Sequence, residues 1–354
     1  MRTLDRYLAR WVLGGTLLAL AVLLALFSVF TLLDELGDVG RGSYGLAEAA
    51  EYLALTTPRR LYEVTPVAVL LGTLLGLGVL ASHSELTVMR AAGVSTWRIA
   101  LTGLKAAGVV ILAAVLLGEL VVPVTDDLAE AQRSIAMTSR IALKTRTGFW
   151  LRDGRRFINV RQVLPDRQLA DLYVYAFDES RRLVLATHAK RVRTEDGVWV
   201  LDQVAESVLG EDRVENRFRP ADRWPSPFAG DLVNLALLRP DRLSALELLR
   251  SIGFLRANGQ DSMPYELALW GKAMVPLSAA TLALLAVPFV LGPLRSAGFG
   301  QRILTGSLIG VGFHIVSQAT SQLGLVYGLP PALGATLPTV VVLGAAIGLL
   351  QRAR

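Results

Sequence analysis

The residues best placed for chemistry in this chain sit at a junction. Within LLGTLLGLGVLASHSELTVMRAAG, residues 70–93, an apolar, glycine-spaced run ends at Ser82 and passes at once into Glu85, Leu86, Met89 and Arg90. Ser82 and Glu85 have the spacing of a capping box, Leu86 and Met89 share a helical face with Arg90, and Gly93 offers a left-handed stop. The spacing predicts a short helix, about 83–95, with one apolar and one charged edge. Two readings of Glu85 stand at this point. A carboxylate in the first turn complements the helix dipole by about 0.3–1 kcal/mol. Alternatively the helix docks in a partner's groove, with Leu86 and Met89 as apolar anchors and Glu85 and Arg90 setting the charge register.

Enzyme chemistry has few footholds. His83, His188 and His314 are the only histidines and none stands in an HExxH pattern, while the absence of cysteine excludes disulfides and thiolate metal sites. No phosphate-binding GxxxxGK[ST] loop occurs, and Lys105, Lys144, Lys190 and Lys272 lack the glycines that would present backbone N–H groups. GRGSYG at 40–45 has no strand and helix around it and reads as a flexible turn. The chain is read as a non-enzyme, with no catalytic residue, metal or cofactor of its own.

The scaffold that must carry these groups is a membrane protein. Of 354 residues, 53% are hydrophobic and 19% charged, the mean hydropathy is +0.47, and runs of roughly 20 apolar residues match a hydrocarbon core of about 30 Å. Six spans are expected near 11–33, 61–81, 99–122, 268–291, 303–326 and 332–350. The first follows Arg2, Arg6 and Arg10 without an Ala-x-Ala-like cleavage site and reads as a retained helix. Basic residues gather before span one, after span two (Arg90, Arg98, Lys105), after span four (Arg295, Arg302) and at Arg352 and Arg354. In a six-span chain these lie on one side, which the positive-inside bias makes the cytoplasm.

The opposite side receives the segment between spans three and four, about 124–264, which is long enough for a domain of its own. FWL after Gly148, FINV at 157–160, LYVYAF at 172–177, LVLATHAKRV at 183–192 and VWVLDQV at 198–204 alternate apolar and polar positions, with turns at Asp153-Gly154 and Asp196-Gly197. An antiparallel sheet in a small open sandwich or jelly roll is expected. Ser244 and Glu247 have capping-box spacing, and Leu248, Leu249, Ile252 and Leu255 form a stripe ended by Asn258-Gly259, so a helix leads back to span four. Glycines 72, 76 and 78 in span two, and 306, 310 and 312 in span five, predict close helix approach.

Residues 70–93, LDRY at 4–7, GRGSYG at 40–45, GPLRS at 292–296 and LVYGLPP at 325–331 occur in order along the chain, and together they resemble the LptF/LptG permease family, more its LptG branch than its LptF branch. The resemblance implies a polytopic α-helical membrane protein with six transmembrane helices and a periplasmic antiparallel β-jelly-roll domain. Spans one to three with a cytoplasmic coupling helix would occupy 1–123, the jelly roll and its linking helix 124–264, and spans four to six 265–354. It implies a multi-pass protein of the bacterial inner membrane. The implied function is that of an ABC transporter permease subunit, which extracts lipopolysaccharide from the outer leaflet of that membrane and passes it through its β domain toward the outer membrane. The implied partners are an LptF-like permease subunit, an LptB-like ATPase dimer that binds ATP and Mg, LptC and periplasmic LptA, with membrane lipid around the spans and no nucleic acid.

By the resemblance, Glu85 falls on the coupling-helix glutamate, within an ATPase-coupling set of Glu85, Leu86, Met89 and Arg90. Lipopolysaccharide, with acyl chains and a phosphorylated head, needs an apolar chamber capped by cations. Phe27, Phe30 and Phe313 are the implied acyl-chain wall, and Arg59, Arg60, Arg133, Arg140 and Lys144 the implied head-group cations. Thr31, Gly37 and Asp38 stand where relatives carry lysines, a departure at the outer end of span one. Glu63 and Glu119 are expected to pair with cations, and Phe149, Leu151, Tyr173, Tyr175 and Trp199 read as sheet core or groove lining. The alternative is a lipoprotein-releasing or efflux permease, because ELTVMRAAGVSTWRI at 85–99 also resembles their cytoplasmic segment. Those proteins usually have four spans, with the large domain after the first. A lipid-modifying membrane enzyme would need converging acids, a nucleophile or metal ligands, and the sequence offers no such cluster.

Overall fold

A computed structural model describes residues 3–138, 143–164, 168–195, 198–210, 213–225, 240–257, 259–292 and 297–352. In chain order its helices are α1 (Thr3–Leu36), α2 (Leu46–Ser82), α3 (Glu85–Ala91), α4 (Thr96–Leu116), a π turn (Leu117–Val121) that runs on into α5 (Val122–Thr138), and, after the sheet, α6 (Ala245–Ala257), α7 (Met263–Leu291), α8 (Phe299–Val326) and α9 (Pro331–Arg352). Among the described residues, six rods are long and apolar enough to cross a membrane: α1, α2, the α4–α5 unit over Thr96–Met137, α7, α8 and α9. Their order is the one that hydropathy predicts.

The helices outrun the apolar windows. α2 has 37 residues, about 55 Å at 1.5 Å per residue, against about 30 Å of hydrocarbon. Its start, LAEAAEYLAL, is rich in Ala, Leu and Glu, so helix propensity carries it well beyond the stretch that hydropathy marks. α4 likewise continues through the π turn into the polar α5. Pro123 gives the physical reason for that turn, since a proline has no N–H for the carbonyl of Glu119 four residues back and its ring crowds that carbonyl. Val122 N donates instead to Leu117 O, five residues back, and the wider turn lets the helix pass the proline.

α2 is the centre of the bundle. Its run from Val64 to Ala81 is almost wholly buried, and its leucines share one apolar cluster with Leu8 and Val12 of α1, Ile99 of α4, Leu282 and Val287 of α7 and Leu350 of α9. α1 crosses α2 backbone on backbone. A methyl group at Gly72 would lie 2.2 Å from Thr16 Cα, one at Gly76 2.3 Å from Trp11 O, and one at Gly15 2.4 Å from Gly72 O. α8 leans on the same helix through Gly306 and Gly310, where added methyls would meet Leu71 and Leu74 at 2.7 Å and Val67 at 2.8 Å. Gly78 forms a notch for the buried Arg302, whereas Gly312 faces open space. In lipid, where apolar side chains gain nothing by leaving solvent, such close approach is what holds helices together. Between Ala21 and Asp34, no residue of α1 is buried.

Six strands lie between α5 and α6: β1 (Leu143–Asp153), β2 (Arg156–Val163), β3 (Leu169–Phe177), β4 (Leu183–Glu195), β5 (Val198–Leu209) and β6 (Val214–Pro225). Each pairs antiparallel with the next in chain order. A crease runs across the whole sheet. The ladders pass over Arg161, Asp171, Lys190, Gln203 and Pro220 at one level, and β1 is irregular there between Lys144 and Phe149. Asp171 and Gln203 have φ of +53° and +54°, which reverses the face that successive side chains use. Burial accordingly changes parity along each strand: Leu169, then Leu172 and Val174; Ala189, then Val192; Trp199 and Leu201, then Val204. Both leaves of the creased sheet thus contribute to one core, against which Phe254 of α6 packs. Trp199 belongs to that core, whereas Tyr173 and Tyr175 take the opposite face and stack on His188 (4.4 Å) and Trp150 (5.9 Å). The side chains of Phe149 and Leu151 lie outside the described residues.

α6 begins with the expected capping box, in which Glu247 Oε2 accepts from Ser244 N (2.8 Å) and Glu247 N donates to Ser244 Oγ (3.3 Å). Leu248, Ile252 and Leu255 are buried, while Leu249, expected in the same stripe, points outward. Gly259, at φ +63°, ends the helix, with Gln260 N donating to Leu255 O (2.8 Å).

Candidate functional site

At the end of the bundle that carries the N-terminus, α3 hangs from α2 as a unit with two defined ends. Ser82 does not cap it, because α2 runs on to that residue and Ser82 Oγ donates to Val79 O (2.8 Å). The chain turns instead at Ser84, held left-handed at φ +62°. The far end closes as the sequence predicts: Gly93 sits at φ +87°, its N–H donates to Arg90 O (3.0 Å) and Val94 N donates to Met89 O (3.0 Å). Ser95 Oγ then accepts from Arg98 N (3.2 Å) and starts α4.

The faces of α3 differ from the expected ones. Leu86 is 2% exposed and lies in the bundle's main cluster with Leu8 and Leu80, and Met89 packs half-buried against that cluster. Leu86 thus seats α3 on its own bundle. Thr87, Val88, Arg90 and Ala91 are the exposed ones. Beside them a groove of about 320 Å³ opens between α3 and the end of α7, lined by Ala81, Leu86, Thr87, Arg90, Ala91, Val290 and Leu291. Glu85 is half-exposed and accepts a hydrogen bond from Tyr7 Oη of α1 (2.9 Å). Asp5, two residues before Tyr7, pairs with Arg98 at the start of α4 (3.2 Å). Neither contact is legible from local spacing, since 78 and 93 residues separate the partners.

At the opposite end, near the sheet, arginines and carboxylates interlock. Arg59 meets Glu63 (2.7 Å), Asp126 (3.2 Å) and Asp241 (2.7 Å). Arg133 meets Glu35 (3.1 Å) and Asp38 (2.7 Å) and lies over the Tyr52 ring, and Arg242 meets Glu130 (2.9 Å). A cavity of about 160 Å³ lies among Arg59, Arg60, Glu63, Asp126, Glu130 and Arg242. Asp126 is 3% exposed, and its Oδ1 has no hydrogen-bond partner among the described residues. Arg60 donates to Leu53 O (3.3 Å) and has no carboxylate partner among the described residues. The structure therefore brings Arg59, Arg60 and Arg133 to one end of the bundle, but Arg59 and Arg133 are already neutralised. Arg140 lies outside the described residues, as does the side chain of Lys144, whose backbone is in β1.

GRGSYG is not the flexible turn expected. Ser43 N donates to Ala136 O of α5 (2.8 Å), and the buried Tyr44 donates to Glu35 Oε2 (2.6 Å). Burial, aided by the Glu35 carboxylate, pushes the Tyr44 phenol above its ordinary pKa. Glu119, presented by the π turn, pairs with Lys272 of α7 (3.0 Å) and accepts from Ala245 N, the first residue of α6 (2.8 Å). One carboxylate thus ties the helix that returns from the sheet to two membrane rods.

Phe27 and Phe30 project from the unburied part of α1, 44% and 55% exposed, whereas Phe313 of α8 packs against the main cluster. Leu26 and Leu33 are exposed with the first two, as are Leu304, Leu308 and Ile315 on α8. Among the described residues no group of three or more His, Asp or Glu is placed to hold a metal ion.

Comparison with known proteins gives this arrangement a context. Residues 6–352 match the family described as lipopolysaccharide export system permease LptF/LptG. The lipopolysaccharide export system permease protein LptG of Haemophilus influenzae is 34% identical over 356 residues, covering 100% of this chain and 99% of that protein. The protein of the same description from Escherichia coli K12 is 36% identical over 352 residues, covering 99% and 98%. With the likeness running through all six rods and the sheet between the third and fourth, the chain belongs to the LptF/LptG family of lipopolysaccharide export permeases and most resembles its LptG members.

Proposed function

We propose that the chain is the LptG-type permease subunit of an inner-membrane ABC transporter that extracts lipopolysaccharide from the outer leaflet and passes it along a periplasmic β domain toward the outer membrane. The observation that carries this reading is the full-length likeness to two LptG proteins. In this reading the α3 end faces the cytoplasm. Its exposed Val88, Arg90 and Ala91, beside the groove against α7, meet an LptB-like ATPase dimer that holds the ATP and Mg. Glu85 and Met89 belong to the coupling set through their place at this contact, and Leu86 belongs to it by keeping α3 rigidly attached.

The exposed aromatic and aliphatic face of α1, with Phe27 and Phe30, and that of α8, with Phe313 beneath it, suit an acyl-chain chamber completed by an LptF-like subunit. For the head group, Arg60 is the cation nearest to hand, and Arg59 and Arg133 engage phosphate only by exchanging carboxylate partners. Arg140 and Lys144 complete the proposed set. LptC and then LptA receive the lipid beyond the β domain. The test is purification of the tagged chain from native membranes, with mass spectrometry of what accompanies it. An LptB-like ATPase with bound lipopolysaccharide is the expected result. A bound lipoprotein without lipopolysaccharide, or the lack of any ATPase, would overturn the reading.

A further inference from the structure

We propose that Tyr7 is a positioning residue for energy coupling, handing the displacement of α3 to α1 through its hydrogen bond to Glu85; this deepens the function proposed above and rests on it. The bond joins the first residue of α3 to α1 at 2.9 Å. It is reinforced at the other end of the same segment, where Arg98, in the first turn of α4, holds Asp5 of α1. The inner end of α1 is therefore gripped by both ends of the unit that a partner would push. Leu86 of α3 and Leu8 of α1 are buried in the same apolar cluster.

The grip has somewhere to send a displacement. The Tyr7 ring stands edge-on to Trp11 one turn along (6.4 Å), and the Trp11 carbonyl lies where α1 meets Gly76 of α2. The rest of α1 runs on to Phe27 and Phe30, in a stretch of which no residue is fully buried among the described residues. Glu85 thus has two addressees, a partner outside and α1 inside. A glutamate needed only for docking would not require a phenol on α1, whereas one needed for transmission would.

The test uses the complex purified with its ATPase and reconstituted with lipopolysaccharide, reading ATP hydrolysis and lipid released per ATP. Tyr7→Phe keeps the ring against Trp11 and removes the hydroxyl. Lipid released per ATP is expected to fall roughly ten-fold, the weight of one hydrogen bond to a charged group, with the ATPase still bound and active. Glu85→Ala in the Tyr7→Phe background should cost no further coupling than Glu85→Ala alone, because both act through one bond. Since the chain has no cysteine, Val29→Cys and Leu308→Cys can carry spin labels. The change in their separation on nucleotide binding should disappear in Tyr7→Phe.

Wild-type coupling and label movement in Tyr7→Phe, or losses that multiply in the double variant, would overturn the proposal while leaving the transporter reading intact. A wild-type chain that neither binds an ATPase nor releases lipid would overturn that reading instead. Should Tyr7→Phe fail to assemble, Glu85→Gln decides. It keeps an oxygen for the Tyr7 hydroxyl, so coupling should stay well above that of Glu85→Ala, and equal losses would refute the proposal.

Discussion

Two neighbouring glycines on α1 should respond to the same substitution with opposite signs. A methyl group at Gly14 meets nothing within 4 Å, whereas one at Gly15 would sit 2.4 Å from Gly72 O and 3.1 Å from Gly76 N. Both substitutions gain about 1 kcal/mol of intrinsic helix preference. Gly14→Ala should keep that gain. Ordinary contact begins near 3.4 Å, so Gly15→Ala must push α1 away from α2 by about 1 Å, against backbone that cannot rotate aside. Overpacking of that kind costs about 1–3 kcal/mol, and it also loosens the adjoining contacts at Gly72 and Gly76. The two variants should therefore differ by about 1–3 kcal/mol, with Gly15→Ala the weaker. Thermal unfolding of the purified chain in detergent, read side by side, measures the order. Equal midpoints, or a more stable Gly15→Ala, would show that α1 and α2 do not touch through backbone here.

Arg59→Ala leaves the buried Asp126 without its cation and should destabilise the chain by about 3–5 kcal/mol, seen as a much lower midpoint than for Arg60→Ala, whose side chain meets a single carbonyl. Glu119→Ala removes both the partner of Lys272 and the acceptor at the start of α6. Hydrogen exchange in α6 should quicken while α1 and α2 stay protected, and a uniform response would contradict the local role. Tyr44 supplies a pH dependence. Its folded pKa is raised, so below pH 10 both folded and unfolded chains keep the proton and its contribution is whole. Above about pH 10, where an unperturbed tyrosine ionises, the unfolded chain loses the proton first and stability falls. Tyr44→Phe should flatten that decline in melts taken from pH 8 to 11; an identical slope would refute the assignment.

The membrane rods were legible because lipid demands long uncharged runs, and the first five strands because apolar alternation survives in them. β6 escaped notice for a physical reason. It is an edge strand, its Val214 and Phe218 are exposed, and half of its remaining positions are charged, so it carries no buried apolar alternation to detect. The crease was invisible because its positive-φ residues are Asp171 and Gln203, not glycine. At the α3 site, spacing revealed the helix and its Gly93 stop but not that Leu86 is buried against its own bundle, since an apolar residue on a short helix reads alike whether it faces a partner or its own bundle. The arginines near the sheet were singled out, but Asp126, Asp241 and Arg242 were not. Arg59 lies 67 residues from Asp126 and 182 from Asp241, and nothing local announces such pairs.

The glycine crossing gives α1 the mechanics of a seesaw. Backbone rests on backbone near Gly15 and Thr16, with Leu8 and Val12 packed among the α2 leucines on one side of the crossing and Ala19 and Leu20 against Ala68 and Leu71 on the other. From there Tyr7 is about 13 Å away on one arm and Phe30 about 21 Å away on the other, at 1.5 Å per residue. A tilt that shifts Tyr7 by 1 Å would swing Phe30 the opposite way by about 1.6 Å, by the ratio of those arms. The tip of the longer arm is moored, however, because Glu35 is tied to Arg133 and Tyr44. Any rocking of α1 would have to work against that mooring.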